Sequence, residues 1–285
     1  MSSIKYGILG GDYRYKILCT LLENDGYSVE VYGSDIMQDT VADIEELLAF
    51  ADVLIAPIPC SKDGRNVNIE GSTLEIPRLI SLMDKYGCRV MTGGVINSLI
   101  KTEAQARDIR VYDFFDMEEV AVLNAIPTAE GAVQTAMEES DRTLFGSSVL
   151  VLGCGRCGKV LANTLKGIGA NVSVSYRKES DRAYITAYGL TAIPFKELVS
   201  YAGGYSFIFN TIPAPVINRE ILRRVKRDCV IIDIAQAPGG TDFGYARDLN
   251  IKALYCPGLP GRVAPYTAAE VLKGALIGVS MYGRQ

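Results

Sequence analysis

Histidine is absent from the 285 residues. That removes the side chain titrating nearest neutrality and the commonest metal ligand. A Ser-His-Asp triad or a HExxH zinc site cannot be built, and any proton transfer falls to Asp, Glu, Lys, Tyr, Cys or water. A basic excess is lacking too: 29 Lys and Arg face 33 Asp and Glu, a formal charge of −4. A phosphate backbone therefore meets no electrostatic footprint, and nucleic acid is not an expected partner. No apolar run approaches the ~20 residues of a membrane-spanning helix, so no membrane association is expected. Met1-Ser-Ser-Ile-Lys5 runs straight into a strand-like segment. No signal peptide is expected there, and the chain reads as cytoplasmic.

What is present is ordinary for an enzyme with a real core: 48% apolar and 22% charged residues. At roughly 150 residues per domain the length suggests about two domains. The seven cysteines (Cys19, Cys60, Cys88, Cys154, Cys157, Cys229 and Cys256) are scattered and mostly flanked by apolar residues, as buried thiols in a reducing compartment are. Only Cys154 and Cys157 form a CxxC. The favoured reading is two small residues in a glycine-rich loop; a redox pair or half a zinc site are the alternatives.

Strand-like and helix-like segments alternate, the pattern of parallel sheets covered by helices. Residues 4–9, 29–32, 51–56, 88–91 and 111–112 read as strands, with helices to about 24, over 75–86 and near 98–107. Residues 57–73, rich in Pro, Gly, Ser and Asn, read as a loop on the functional edge. A second series begins with an expected helix from Thr128 to Leu144, capped by Thr128 with Glu130 and Gly131 in its first turn. Strands at 148–152, 172–175, 207–210 and 230–233 follow, with helices over 156–168, from about 179 and near 195–201. A last helix is expected over about 267–282, with Ala268, Val271, Leu272, Ala275, Leu276 and Val279 at helical spacing. The expected fold is α/β, two doubly wound parallel-sheet domains with a cleft between them. Residues 1–126 form a flavodoxin-like domain on the substrate side, and residues 127–264 a Rossmann domain. The final helix, 265–285, is expected to pack back on the first domain.

Gly153-Cys-Gly155-Arg156-Cys157-Gly158 is the strongest local signal. It follows the apolar strand Ser148-Val-Leu-Val-Leu152 and opens a helix, and the next strand comes at βαβ distance. The first glycine permits the tight turn, the second admits a pyrophosphate, and the third lets helix pack on strand. The amides of Arg156 and Cys157 would hold the anion. The second strand then ends in Tyr176-Arg177-Lys178, with Arg182 nearby, where an NAD-selective fold carries an acid for the ribose 2′-hydroxyl. Cations there suit a 2′-phosphate, so NADP is the expected cofactor, with NAD possible and a solvated basic surface the bland alternative. Thr211, Ile212 and Pro213, after the strand at 207–210, and Ala235, after that at 230–233, are candidate cofactor contacts, or else structural turns.

Gly10-Gly11-Asp12 is half of such a fingerprint and reads either as a cap or as amides facing the cleft with Arg14. The segments Asn124-Ala-Ile-Pro-Thr128-Ala-Glu130-Gly131 and Pro257-Gly-Leu-Pro-Gly-Arg262-Val-Ala-Pro265 read as rigid loops, either hinges or site-bearing.

Taken together with Gly-Gly-Thr-Asp242-Phe, these segments resemble the dipicolinate synthase A-subunit family over nearly the whole chain, most closely over residues 124–272. The resemblance implies a nicotinamide-dependent dehydrogenase component that converts dihydrodipicolinate to dipicolinate in the mother cell during endospore formation. It implies the flavoprotein-like B-subunit of dipicolinate synthase as partner, with a homo-oligomer also possible. A non-catalytic NADP-binding scaffold or regulatory component is the second reading, and a dehydrogenase of another small carboxylate the third. A small dicarboxylate substrate needs cations or amide nests. The candidates are Arg262 for one carboxylate, and Gly10, Gly11 and Arg14 for the other, with Thr128 at a helix N-terminus. For proton removal Glu130 is preferred and Asp12 is the alternative.

Overall fold

A computed structural model describes residues 4–282, the last three by backbone only. The chain divides into two compact units, Met1–Ala121 with Ala264–Gln285, and Val122–Val263. No described helix is long and apolar enough to cross a membrane.

The first unit holds strands β1 (Lys5–Leu9), β2 (Ser28–Tyr32), β3 (Val53–Ile55), β4 (Val90–Gly93) and β5 (Arg110–Asp113). They are parallel throughout, in the order β2-β1-β3-β4-β5, which is the flavodoxin-like order. Strands buried on both faces read as continuous apolar runs, and here alternate residues supply different cores. Tyr6, Ile8, Val53 and Ile55 pack with α1 (Tyr13–Asn24) and α12 (Pro265–Tyr282). Leu9, Leu54 and Met91 pack with α2 (Ile44–Phe50), α3 (Ile76–Tyr86) and α4 (Ser98–Gln105). Asp12, Asp43 and Asn97 cap α1, α2 and α4 through their side chains.

The second unit carries β6 (Ser148–Leu152), β7 (Asn171–Tyr176), β8 (Thr191–Pro194), β9 (Phe207–Asn210), β10 (Val230–Asp233) and β11 (Lys252–Tyr255). Their order, β11-β10-β9-β6-β7-β8, is the Rossmann 3-2-1-4-5-6 arrangement read from its other edge. Period two again divides the cores. Val149, Val151, Phe207 and Phe209 face α6 (Arg156–Ile168) and the alanine-rich side of α5 (Glu118–Glu138). Leu150, Leu152 and Ile208 face α8 (Leu198–Tyr201), α9 (Arg219–Leu222) and α10 (Phe243–Asp248).

Two local expectations need correction. Thr128 does not cap a helix: α5 begins at Glu118, runs through Pro127 and ends at Glu138, short of Leu144. Thr128 lies mid-helix, its hydroxyl donating to the Asn124 carbonyl at 2.7 Å, and Glu130 lies in no first turn. The helix survives its proline because Ala129, Ala132, Val133 and Ala136 are buried along one side, and that packing outweighs one missing amide. The segment carrying Arg262 is likewise not a loop throughout, since α11 spans Leu259–Val263.

Candidate functional site

In the second unit the strand order reverses at β6, which lies between β7 and β9. Ligands bind outside the carboxyl ends of strands at such a switch point. There Gly153 adopts φ +101°, and its amide donates to the Ser175 hydroxyl at 3.0 Å. The Leu152 carbonyl accepts from both the amide and the hydroxyl of Thr211, at 3.0 and 2.8 Å. Thr211 thereby ties the tip of β9 to the turn. A Cβ on Gly153 would stand 2.5 Å from the Thr211 hydroxyl, and one on Gly158 only 2.1 Å from the Gly153 carbonyl. Gly155, the N-cap of α6, is different: a Cβ there would meet nothing within 4 Å. Two glycines are thus demanded by packing and the third leaves open space at a helix N-terminus, as a dinucleotide pyrophosphate requires. Cys154 and Cys157 flank this turn as free thiols, and burial pushes both above the ordinary thiol range. That keeps them protonated, which supports small loop residues over a thiolate pair. Among the described residues no three Cys, Asp or Glu side chains cluster as a metal site.

Tyr176 closes β7, with Arg177 and Lys178 exposed beyond it. The Arg177 guanidinium carbon lies 4.0 Å from the centre of the Phe195 ring. Arg182 instead ion-pairs with Glu179 of its own helix at 2.6 Å, so the structure commits it locally.

At the tips of β9 and β10 lies a buried polar joint that the sequence reading did not single out. Asp233 is fully buried. It accepts from Asn210 Nδ2 at 3.0 Å, the Ala235 amide at 3.1 Å, the Gly240 amide at 2.8 Å and the Thr241 hydroxyl at 2.6 Å. Asn210, also fully buried, accepts from the Ile212 amide at 3.0 Å. These two side chains shape the loops carrying Thr211, Ile212, Pro213 and Ala235. The available signal was a polar residue closing each of two apolar strands.

Glu130 and Arg262 sit on helices in direct contact, because a Cβ on Gly131 would meet Leu259 and Val263 of α11 at 3.1 Å. Both side chains are exposed. One turn and a half before Glu130, Asn124 is only 6% exposed, and its Oδ1 has no hydrogen-bond partner among the described residues. A buried acceptor in that state lacks about 1–3 kcal/mol that a donor from water or ligand would restore.

In the first unit, Gly10 and Gly11 join β1 to α1 with φ +62° and +102°. They line a cleft of about 650 Å³ at the carboxyl ends of β1, β2 and β3, with Asp35, Pro59, Lys62 and Asp63. Asp12 and Arg14 do not present themselves separately. Arg14 Nε and Nη2 donate to both Asp12 oxygens at 2.6–3.0 Å. Burial opposes the Arg14 charge most strongly of any single cause, but hydrogen bonding and charge attraction to Asp12 together outweigh it and raise its pKa. Arg14, itself buried, is thus already ion-paired, and it is Asp12 that lines the cleft.

Comparison with known proteins agrees with this geometry. Residues 5–115 match the family model for the N-terminal domain of the dipicolinate synthase A-subunit. Residues 122–239 match the NAD binding domain of D-isomer specific 2-hydroxyacid dehydrogenases. The dipicolinate synthase A-subunit of Bacillus subtilis is 31% identical over 283 residues, 97% of this chain and 95% of the relative. The crystal structure of the Bacillus halodurans A-subunit matches with TM-score 0.87 and 29% identity, over 97% of both chains. Apo D-lactate dehydrogenase from Escherichia coli, at 13% identity and TM-score 0.68 over 99% of this chain and 97% of that one, shares the fold. A glycine turn shaped for a pyrophosphate, a nicotinamide-dinucleotide-binding dehydrogenase domain and full-length similarity thus converge, and the chain belongs to the dipicolinate synthase A-subunit family.

Proposed function

We propose that this chain is an NADP-dependent dehydrogenase component that oxidises dihydrodipicolinate to dipicolinate, acting on a CH–CH or CH–NH bond. In this reading it works beside the synthase's B-subunit in the mother-cell cytoplasm during endospore formation. The observation that carries it is the open space at Gly155 beside a strand end bearing Arg177 and Lys178 and no acid. The α6 amides of Arg156 and Cys157 would hold the pyrophosphate, and Arg177 with Lys178 the 2′-phosphate. Thr211, Ile212, Pro213 and Ala235 would line the same crevice, with Asp233 and Asn210 fixing their loops.

When bound, the nicotinamide supplies the hydride acceptor. The chain's own residues orient the substrate and move one proton. Oxidising the dihydro ring removes one hydride and one proton and leaves an aromatic pyridine, so no imidazole base is required. Arg262, which no described carboxylate pairs, would hold one substrate carboxylate as a charge-assisted pair. Glu130 would accept the ring proton. Asp12 is the weaker candidate, because Arg14 already occupies both of its oxygens. In the first unit the Gly10 amide already donates to the Tyr32 carbonyl at 2.9 Å and Arg14 is paired with Asp12, so of the candidates there the Gly11 amide is what a carboxylate would find.

The test is incubation of the purified chain with freshly generated dihydrodipicolinate and NADP⁺, with and without the B-subunit. Reduced nicotinamide is followed by absorbance and dipicolinate by product analysis. Stoichiometric NADPH and dipicolinate are expected. Nucleotide binding without turnover under either condition would sink the dehydrogenase reading and leave a nucleotide-binding scaffold.

A further inference from the structure

We infer that Phe195 is a positioning residue for cofactor selection: its ring holds the Arg177 guanidinium ready for a 2′-phosphate. The inference rests on the NADP reading above. Strands β7 and β8 pair in register Tyr176↔Pro194, so Arg177 and Phe195 are the next residues off both strands, side by side at the carboxyl edge. The guanidinium lies 4.0 Å from the ring centre. The ring itself is anchored, since it is half-buried against the core that includes Leu198 and Val225. Phe195 also opens a short 3-10 turn, Phe195–Glu197, directly after β8, and its carbonyl accepts from the Leu198 amide.

The chemistry of the contact matters. A cation over an aromatic face is attracted by the ring quadrupole without spending any N–H group. A contact of this kind consumes none of the five guanidinium donors. No described carboxylate pairs with Arg177, whereas Arg182 is committed to Glu179 and the Lys159 ammonium sits over Tyr184 at 4.0 Å. Arg177 is thus a cation at this edge that is both held in place and unspent. An exposed arginine without such a support must be ordered at the moment of binding, and affinity falls by that cost. Phe195 is therefore expected to act on the 2′-phosphate only, through Arg177.

The experiment measures dissociation constants for NADP⁺ and NAD⁺ on the full chain by calorimetry. Phe195→Leu should weaken NADP⁺ by about two- to fivefold, the scale of an exposed cation–π contact, and leave NAD⁺ unchanged. Phe195→Tyr should restore NADP⁺ affinity. In an Arg177→Gln background, Phe195→Leu should cost nothing further. Equal weakening of both dinucleotides, or a full additional loss in the Arg177→Gln background, would overturn the inference and assign Phe195 to packing alone. If the unaltered chain prefers NADP⁺ and Phe195→Leu keeps the whole preference, this inference falls and the NADP reading stands. If the unaltered chain binds NAD⁺ more tightly, the NADP reading falls and carries this inference with it.

Discussion

Substituting the glycines of the β6–α6 turn one at a time should separate folding from ligand binding. At Gly158 an added Cβ stands 2.1 Å from the Gly153 carbonyl oxygen and 2.9 Å from its carbon. Ordinary contact begins near 3.4 Å, so helix and turn must part by 3.4 − 2.1, about 1.3 Å. Both atoms belong to backbone, which has no rotamer to yield. Overpacking of this kind costs roughly 1–3 kcal/mol, or about 2–12 °C in Tm for a unit of this size. Gly158→Ala should therefore lower the melting temperature and, by shifting the Gly153–Gly155 turn, weaken the nucleotide as well. At Gly155 the same atom meets nothing within 4 Å, and φ is −78°. Gly155→Val should keep the melting temperature. Its side chain fills the pyrophosphate space instead and removes about two charge-assisted amide contacts of roughly 1.5–3 kcal/mol each, a loss of about 10²- to 10⁴-fold in affinity. Differential scanning fluorimetry and calorimetric titration with NADP⁺ read the two effects independently. A Gly155→Val protein binding NADP⁺ within threefold of the unaltered chain would refute the assignment of the turn. A thermally neutral Gly158→Ala would refute the packing argument.

Five further substitutions have outcomes that follow from the same geometry. Arg262→Ala should raise the substrate KM far more than the NADP⁺ KM, and Glu130→Gln should lower kcat; equal KM effects would move Arg262 to the cofactor, and an unchanged kcat would leave Glu130 a surface residue. Asp233→Ala removes a fully buried acceptor of four hydrogen bonds and should cost more than about 3 kcal/mol in urea denaturation; a loss under 1 kcal/mol would show the joint to be dispensable. The Asp63 carboxylate accepts from the amides of Asn66 and Arg65, both at 2.8 Å, and these bonds hold its pKa well below the usual range. A depressed folded-state pKa gives stabilisation that is complete above the unfolded value near 4 and fades as pH falls. The protection of these two amides, taken relative to intrinsic exchange at each pH, should fall in acid, and Asp63→Asn should abolish that fall; protection that stays constant with pH in the unaltered protein would contradict this. Thr128→Ala should change stability by less than about 0.5 kcal/mol, because its hydroxyl bonds within the helix, whereas loss of an N-cap costs about 1.

Much of the second unit is legible in the sequence. The helix over 156–168 and the strands over 207–210 and 230–233 emerge with their observed bounds, because each is an apolar run closed by glycine, proline or a polar residue. Legibility fails where tertiary packing overrules local chemistry. Pro127 looks like a boundary, yet buried alanines carry α5 through it. The edge strands β8 and β11 are short and half-exposed, so neither an apolar run nor a clean alternation marks them. Helix α2 offers its sequence signal in Asp43 followed three residues later by Glu46, but with seven residues its periodicity is too brief to register. In the site, the glycine turn is readable because φ and close approach dictate residue type. The Asp12–Arg14 pairing, the Arg177–Phe195 contact and the Asp233 joint are not, since each depends on which side chains the turns bring together.

The last helix has a bearing on how the molecule is made. Ala269, Leu272, Leu276 and Val279 of α12 complete the core formed by Tyr6, Ile8, Leu18 and Leu22, and Lys273 anchors to Asp25 at the end of α1 at 2.8 Å. The core around β1 and α1 is consequently finished only when residues far downstream have been made. Residues 122–263 form an uninterrupted unit, whose synthesis at about 5–20 residues per second occupies roughly 7–30 s. During that interval the apolar flank of α1 and β1 awaits a partner not yet translated. The usual order, N-terminal unit first, is reversed: the dinucleotide-binding unit can close while its elder neighbour still exposes that apolar flank.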